Sequence, residues 1–244
     1  MCRLVSLCPS DDIVAYAFTI LILQQEADAV LNQLLPKVIN DRLEKNEAIP
    51  FELHPDNVVI LWADVVGFTE LSSQLTSTQV MQMLNRIYSR FDKIIEDENL
   101  WKMDTIGDAY VVIGGLVEDS DNPRLTESLF RSANSMLEVM QYFRRQTQYN
   151  IGIRIGIHAG KVASGIIGTL RPRYYVFGST VLEAEALESS SRSNEIQVSE
   201  MAARYYRATQ FNLKPNVNNS SSLRTYWLSS PDPSEEDEPD LTDN

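Results

Sequence analysis

The sequence has almost no cysteine and almost no histidine: Cys2, Cys8, His54 and His158 are the full set in 244 residues. Two thiols near the amino end build neither a disulfide framework nor a thiolate zinc site, and two histidines exclude a histidine-rich metal centre. Scarce cysteine fits a reducing, intracellular setting. Long apolar runs are missing too. The longest, 13–23, is about half of the roughly 20 residues needed to span a bilayer, and it lacks the basic flank of a signal peptide. The expectation is a cytoplasmic domain, which reaches the cytoplasmic face of a membrane only through a segment upstream of this chain. Positive charge is also short, with 21 Lys and Arg against 34 Asp and Glu. Seven of those acids, and no base, lie in 229–244, a stretch that reads as a disordered, solvating tail. The remaining 27 acids against 21 bases leave no basic face for a nucleic acid.

What is present is an ordinary globular composition. An apolar fraction of 43% suffices for a core, and the length suits one domain with short flanking pieces. Ile13, Tyr16, Ile20, Leu23, Ala27, Val30 and Leu34 fall at alternating spacings of three and four, the seam of a dimerising helix that Pro36 ends. Residues 45–57 read as a linker, so 1–57 form a helical lead, 58–228 the globular domain and 229–244 the tail. The β-branched run 58–63 predicts a buried strand ending at Asp64. Thr76 and Gln79 form a capping box, after which Val80, Leu84, Ile87, Phe91 and Ile94 mark one face of a helix. Strands are predicted at 100–106 and 109–115, joined by Gly107-Asp108 in a type II′ turn. A second helix carries Leu125, Leu129, Ala133, Met136, Met140 and Phe143. Ile151, Ile153, Ile155 and Ile157 then alternate as a strand with one buried face. Further strands are expected at 161–168, 173–177 and 195–199, with a helix at 181–189. The order β-α-β-β-α-β over 58–157 is that of a ferredoxin-like α+β unit with carboxy-terminal additions.

Two carboxylates stand out. Asp64 ends a hydrophobic strand, and Asp108 sits at the tip of a hairpin whose strands lie beside it in such a sheet. Gly67, Phe68 and Thr69 lead from Asp64 into a short helix whose backbone amides suit a phosphate. Facing acids need a shared proton or a cation, and oxygen donors beside phosphate-binding backbone favour Mg²⁺ or Mn²⁺. Taken singly, each acid has a plainer role, as a strand cap or a turn residue.

Three segments, 63–69 (ADVVGFT), 102–110 (KMDTIGDAY) and 154–160 (RIGIHAG), resemble successive signatures of the class III adenylate and guanylate cyclases. Pro172-Arg173-Tyr174 and Phe177-Gly178 continue the likeness, which covers roughly 24–206, and Gln33-Leu34-Leu35-Pro36 is similar to the helix that leads into guanylate cyclase domains. The resemblance implies cyclisation of a nucleoside triphosphate by two metal ions, Mg²⁺ or Mn²⁺, held by Asp64 and Asp108 with the Val65 carbonyl. It also implies that the amides near Gly67, Phe68 and Thr69, together with Arg154, bind the phosphates. Base-reading positions fall on Asp104 and Tyr175.

The likeness breaks at one place. Family active sites form between two chains, and an Asn with an Arg four residues later supplies the transition-state contacts. Leu182 and Ala186 occupy those positions here, and neither side chain can donate a hydrogen bond. Asp104 stands where guanylate cyclases carry Glu and adenylate cyclases Lys, which favours guanine, and Tyr175 replaces a Cys. The expectation is therefore the metal-bearing half of a cyclase dimer in signal transduction, with GTP preferred. A heterodimer is favoured over a homodimer, and the stretch 79–116 reads most like the α subunit of soluble guanylate cyclase. An adenylate cyclase half and a nucleotide-binding pseudoenzyme remain as alternatives.

Overall fold

The computed structural model describes residues 34–116, 122–170, 172–207, 211–217 and 224–230, with a few isolated positions before them. The heptad seam from Ile13 to Leu34 lies almost wholly outside the described residues, and so does the acidic tail. The chain divides into two compact units, Met1–Pro50 with Gly165–Tyr174, and Phe51–Ser164 with Tyr175–Asn244. In the first, helix α1 (Lys37–Glu44) starts directly after Pro36, which serves as its N-cap with an extended backbone. Among the described residues no helix is long and apolar enough to cross a membrane.

The second unit is built on a sheet. Strand β1 (Glu52–Val66) begins six residues before the predicted run, within the expected linker. Its extra length is paired: the ladder to β4 (Gly152–Ile167) runs from Glu52 opposite Ser164 to Val66 opposite Gly152, with a register shift between His54 and Val58. The same pairing makes β4 one 16-residue strand where two were expected, 151–157 and 161–168. Between them come α2 (Phe68–Gln74), α3 (Ser77–Asp97), β2 (Trp101–Ile106), β3 (Ala109–Gly114) and α4 (Asn122–Thr147). After β4 follow β5 (Arg173–Phe177), α5 (Ser179–Ser189), β6 (Ile196–Ser199), α6 (Glu200–Tyr205), β7 (Asn212–Pro215) and β8 (Thr225–Ser229).

The sheet order is β2-β3-β1-β4-β6-β8-β7, with β5 paired off this path to β4. Its first four strands are antiparallel neighbours in the ferredoxin-like order, as the sequence pattern requires. β6 adds in parallel to β4, and β8 and β7 extend the edge.

Helices α3 and α4 cover one face of this sheet. Val59, Leu61, Ala63 and Val65 alternate into the same core as Ile153, Ile155 and Ile157, against Leu129, Ala133, Met136, Met140 and Phe143 of α4. The capping box forms as expected: the Thr76 hydroxyl accepts from the Gln79 amide and the Gln79 side chain from the Thr76 amide. The buried stripe of α3 is Met83, Ile87, Phe91 and Ile95, a strict i, i+4 ridge rotated slightly from the predicted face.

The opposite face of β4 was expected to meet solvent, and instead α5 lies on it. A Cβ at Gly156 would come within 2.3 Å of the Glu188 amide nitrogen and 2.4 Å of the Ala184 carbonyl oxygen. Only glycine lets the helix backbone approach this closely. Arg154 and His158 flank Gly156 on the same face, and each meets an acid of α5.

Candidate active site

Pairing register gathers the site. Asp64 alternates with core-facing Ala63 and Val65, so its side chain lies on the α5 face of the sheet. Its cross-strand neighbours are Arg154 on β4 and Ala109 on β3. Asp108 directly precedes Ala109 in the two-residue turn between Ile106 and Ala109. Gly107 takes φ +67°, the left-handed value that the first position of the predicted turn demands.

Arg154 forks between two carboxylates. Its Nη2 donates to Asp64 Oδ2 at 2.9 Å, and its Nε donates to Glu188 Oε1 at 2.7 Å. The Glu188 side chain is 4% exposed, against 32% for Arg154 and 20% for Asp64, so Glu188 is the fixed end of the chain of charges. Burial works against the Arg154 charge, but Glu188 and Asp64 outweigh it and hold its pKa above the ordinary arginine value. Burial raises the Glu188 carboxyl, with Arg154 pulling the other way and the Asp64 charge adding to the rise. The short, directed bond to Nε is nevertheless that of an ionised acid with its counter-ion.

Burial also raises Asp108, and the charge of Asp64 adds to the rise, while Arg154 partly opposes it. An acid raised by a neighbouring carboxylate gains from a cation. Among the described residues no group of three His, Cys, Asp or Glu side chains makes a metal cage. Mg²⁺ seldom asks for one: it commonly takes one or two carboxylates, keeps waters and completes its shell with phosphates. Asp64, Asp108 and the Val65 carbonyl fit that donor set.

Tyr88 of α3 lies close to the same acids. Its ring packs against Phe91 and Tyr110, with centroids at 6.2 and 5.4 Å. The Tyr110 hydroxyl donates to Asp92 at 2.6 Å, and Lys102 holds that same carboxylate at 2.7 Å. The Tyr88 hydroxyl is buried with no hydrogen-bond partner among the described residues. Burial raises its pKa, and the charges of Asp108 and Asp64 push it further up.

The other sequence-predicted residues fall elsewhere on the same unit. Gly67 is the N-cap of α2, and Phe68 and Thr69 open that helix. Asp104 follows a register shift in β2 and accepts from the Thr105 amide at 2.8 Å. Tyr175 stacks on Phe177 of β5, with centroids 5.7 Å apart and planes at 23°. Leu182 and Ala186 sit one turn apart on the exposed face of α5. Sequence reasoning missed Glu188 and Tyr88. Gly152, Gly156 and Gly160 share a strand face with Arg154, a sign that another backbone approaches there; that sign could have located α5 and its acids. Tyr88 carried no such mark.

Residues 52–230 match the family described as the adenylate and guanylate cyclase catalytic domain. Over 213 residues the chain is 36% identical to a receptor-type guanylate cyclase, gcy-23, of Caenorhabditis elegans, covering 83% of this chain and 19% of that protein. Human atrial natriuretic peptide receptor 2 is 35% identical over 212 residues, covering 84% of this chain and 20% of the receptor. The chain thus spans about a fifth of the length of these relatives. Among solved structures, the guanylyl cyclase domain of the RhoGC fusion protein from the fungus Blastocladiella emersonii superposes with a TM-score of 0.66 at 28% identity, covering 75% of this chain and 98% of that one. The guanylate cyclase domain of RhGC from Catenaria anguillulae, solved with GTP, gives 0.67 at 26%, covering 74% and 100%. Those likenesses span the sheet and the ends of β1, β3 and β4 alike, and the chain belongs to the class III nucleotide cyclase catalytic domains, the enzymes that close a nucleoside triphosphate into its cyclic monophosphate.

Proposed function

We propose that this chain is the metal-bearing half of a dimeric cyclase that converts GTP to the 3′,5′-cyclic monophosphate and pyrophosphate. One contrast carries this reading: Asp64, Asp108 and Arg154 come together at one place, while the exposed face of α5 offers Leu182 and Ala186 where transition-state donors belong. Asp64, Asp108 and the Val65 carbonyl are the ligands for two Mg²⁺ or Mn²⁺ ions. When bound, these ions supply a lowered pKa for the ribose 3′-hydroxyl and charge neutralisation at the phosphates. The segment Gly67-Phe68-Thr69 and Arg154 hold the triphosphate.

Losing one transition-state donor lowers rates about 10²–10³-fold, so a homodimer missing two is crippled. A partner cyclase domain with the Asn/Arg pair completes one of the two interfacial sites. The same asymmetry underlies the likeness to a soluble guanylate cyclase α subunit. Support for guanine comes from Asp104, an acceptor suited to the N1–H and N2–H donors of that base, and from the relatives named as guanylate cyclases. Tyr175 is the second base-pocket position.

The decisive experiment assays cyclisation of GTP and ATP by the purified chain, alone and with a cyclase domain that carries the Asn/Arg pair but has its own metal acids mutated. GTP turnover only in the mixture is expected. Robust turnover by the chain alone overturns the asymmetry, preference for ATP makes it an adenylate cyclase half, and silence in both settings makes it a pseudoenzyme. In an active mixture, Asp104→Lys should shift the preference from GTP towards ATP. An unchanged ratio removes Asp104 from base reading.

A further inference from the structure

Arg154 is given a phosphate-binding role by its sequence motif, yet its guanidinium reaches Asp64 Oδ2 at 2.9 Å. That oxygen belongs to one of the two proposed metal ligands. A guanidinium and a divalent cation cannot both take the same lone pairs of one carboxylate oxygen, because like charges at that separation repel strongly. The other prong of Arg154 is pinned: Nε holds Glu188 at 2.7 Å, and the Glu188 side chain is 4% exposed. Glu188 in turn cannot drift. Its backbone lies against Gly156 of β4, where a Cβ would stand 2.3 Å from the Glu188 amide. Ser189 Oγ donates to the other carboxylate oxygen, Oε2, at 3.1 Å. The fork therefore has a fixed arm on α5 and a swinging arm on Asp64.

We infer that Arg154, anchored by Glu188, competes with the metal ion for Asp64, and that Glu188 is the positioning residue on which the guanidinium pivots from Asp64 towards the triphosphate. This rests on the assignment of Asp64 and Asp108 as metal ligands. It adds a sequence of events to that assignment: the metal takes Asp64, the Nη2 arm is released, and Arg154 becomes available to phosphate while its Nε stays on Glu188. The exchange couples the arrival of metal to the readiness of the phosphate site. It also keeps Asp64 neutralised at all times, which limits its repulsion of Asp108.

The test is Mn²⁺ binding without nucleotide, read from the electron paramagnetic resonance signal of free Mn²⁺. Single loss of Arg154 would confuse direct competition with a change of net charge, so the informative variant is Arg154→Gln combined with Glu188→Gln. It removes one charge of each sign and lets the two amides hydrogen-bond to one another. Its affinity for Mn²⁺ should rise about fivefold, the worth of a partly exposed ion pair. Unchanged or weaker affinity overturns the competition. A parent that binds no Mn²⁺ overturns the metal assignment and this inference with it. A parent whose binding is abolished by Asp108→Asn, beside a double variant that matches the parent, overturns the competition alone. Should the double variant fail to fold, the parent labelled with ¹⁵N-arginine answers the same question. Titration with Mg²⁺ should free the Arg154 Nη groups while Nε–H stays bonded, and an Nη signal that ignores Mg²⁺ sinks the pivot.

Discussion

The end of β1 brings Asp64, Asp108 and Arg154 together from two strands and a hairpin, whereas the exposed face of α5 presents Leu182 and Ala186. At the first place Arg154 answers Glu188 and Asp64 across 2.7 and 2.9 Å. At the second, Leu182 is 66% exposed, and neither Leu182 nor Ala186 can donate a hydrogen bond from its side chain. The two regions belong to the same compact unit, and α5 touches both through Glu188. One side of one helix thus carries an ionic anchor, while Leu182 and Ala186 on its exposed side offer no hydrogen-bond donor. A protein whose site had simply decayed would be expected to lose both, since paired acids near a buried glutamate are costly to hold. On the function proposed above, the contrast divides the chemistry between two chains.

The hardest blow to that contrast comes from the acids. In an active assembly, Asp64→Asn or Asp108→Asn should abolish Mn²⁺-dependent turnover while circular dichroism stays that of the parent. Activity within a few-fold of the parent ends the two-metal assignment. The converse change strengthens the poor side. Leu182→Asn with Ala186→Arg should raise turnover by the self-associated chain about a hundredfold or more, given 10²–10³ per donor. Assayed without partner, a double variant no faster than the parent shows that other residues fill those roles.

The join between the two regions can be tested through packing alone. Gly156→Ala places a methyl group 2.3 Å from the Glu188 amide nitrogen, so α5 must back away from β4. Overpacking of this kind costs about 1–3 kcal/mol. Chemical denaturation should show a lower midpoint, and the Arg154–Glu188 bond should lengthen in a structure of the variant. A midpoint equal to the parent's means that α5 does not rest on β4 as described.

Much of the fold was legible because its signals are local. The capping box at Thr76 and Gln79, the isoleucine alternation from Ile151 to Ile157 and the Gly107-Asp108 turn each fix backbone geometry within a few residues. Register then follows, and register alone brings Asp64 beside Asp108 and Arg154. What the sequence hid is set by distant pairing. β1 and β4 are longer than their apolar runs because each supplies hydrogen bonds to the other, through Glu52 and Ser164, where hydrophobic pattern has nothing to say. β8 and the edge strand β7 are too short for any periodicity to announce them. The second buried face of β4 was missed because the isoleucine alternation from Ile151 to Ile157 announces one buried face only. Arg154 and His158 are each covered by an acid from α5, and the glycines at 152, 156 and 160 were the one sign of the helix above them. The Tyr88 hydroxyl stayed hidden for a related reason, since an aromatic at helical spacing is ordinarily core.

The smallest effect tests whether the acid end carries strain. Burial and the Asp64 charge raise the Asp108 carboxyl above its ordinary 3.8. The fold therefore binds that proton more tightly than the unfolded chain does. The stabilisation this provides is complete below 3.8 and is lost as pH climbs through the raised native value, so at pH 7 ionised Asp108 works against folding. Asp108→Asn removes this opposition and cannot titrate. In EDTA at pH 7 the variant should melt higher than the parent, by about a degree or two, because Asp108 is only partly buried and solvent screens its charge. Loss of its attraction to Arg154 trims the gain further. As pH falls the advantage should shrink, and below the ordinary carboxylate range it should vanish; Glu188 titrates in both proteins and cancels. Added Mn²⁺ should reverse the ranking at pH 7, since only the parent binds it and gains by mass action. A variant that melts lower than the parent in EDTA, or an advantage that ignores pH, would show that Asp108 is structural and not a ligand held in readiness.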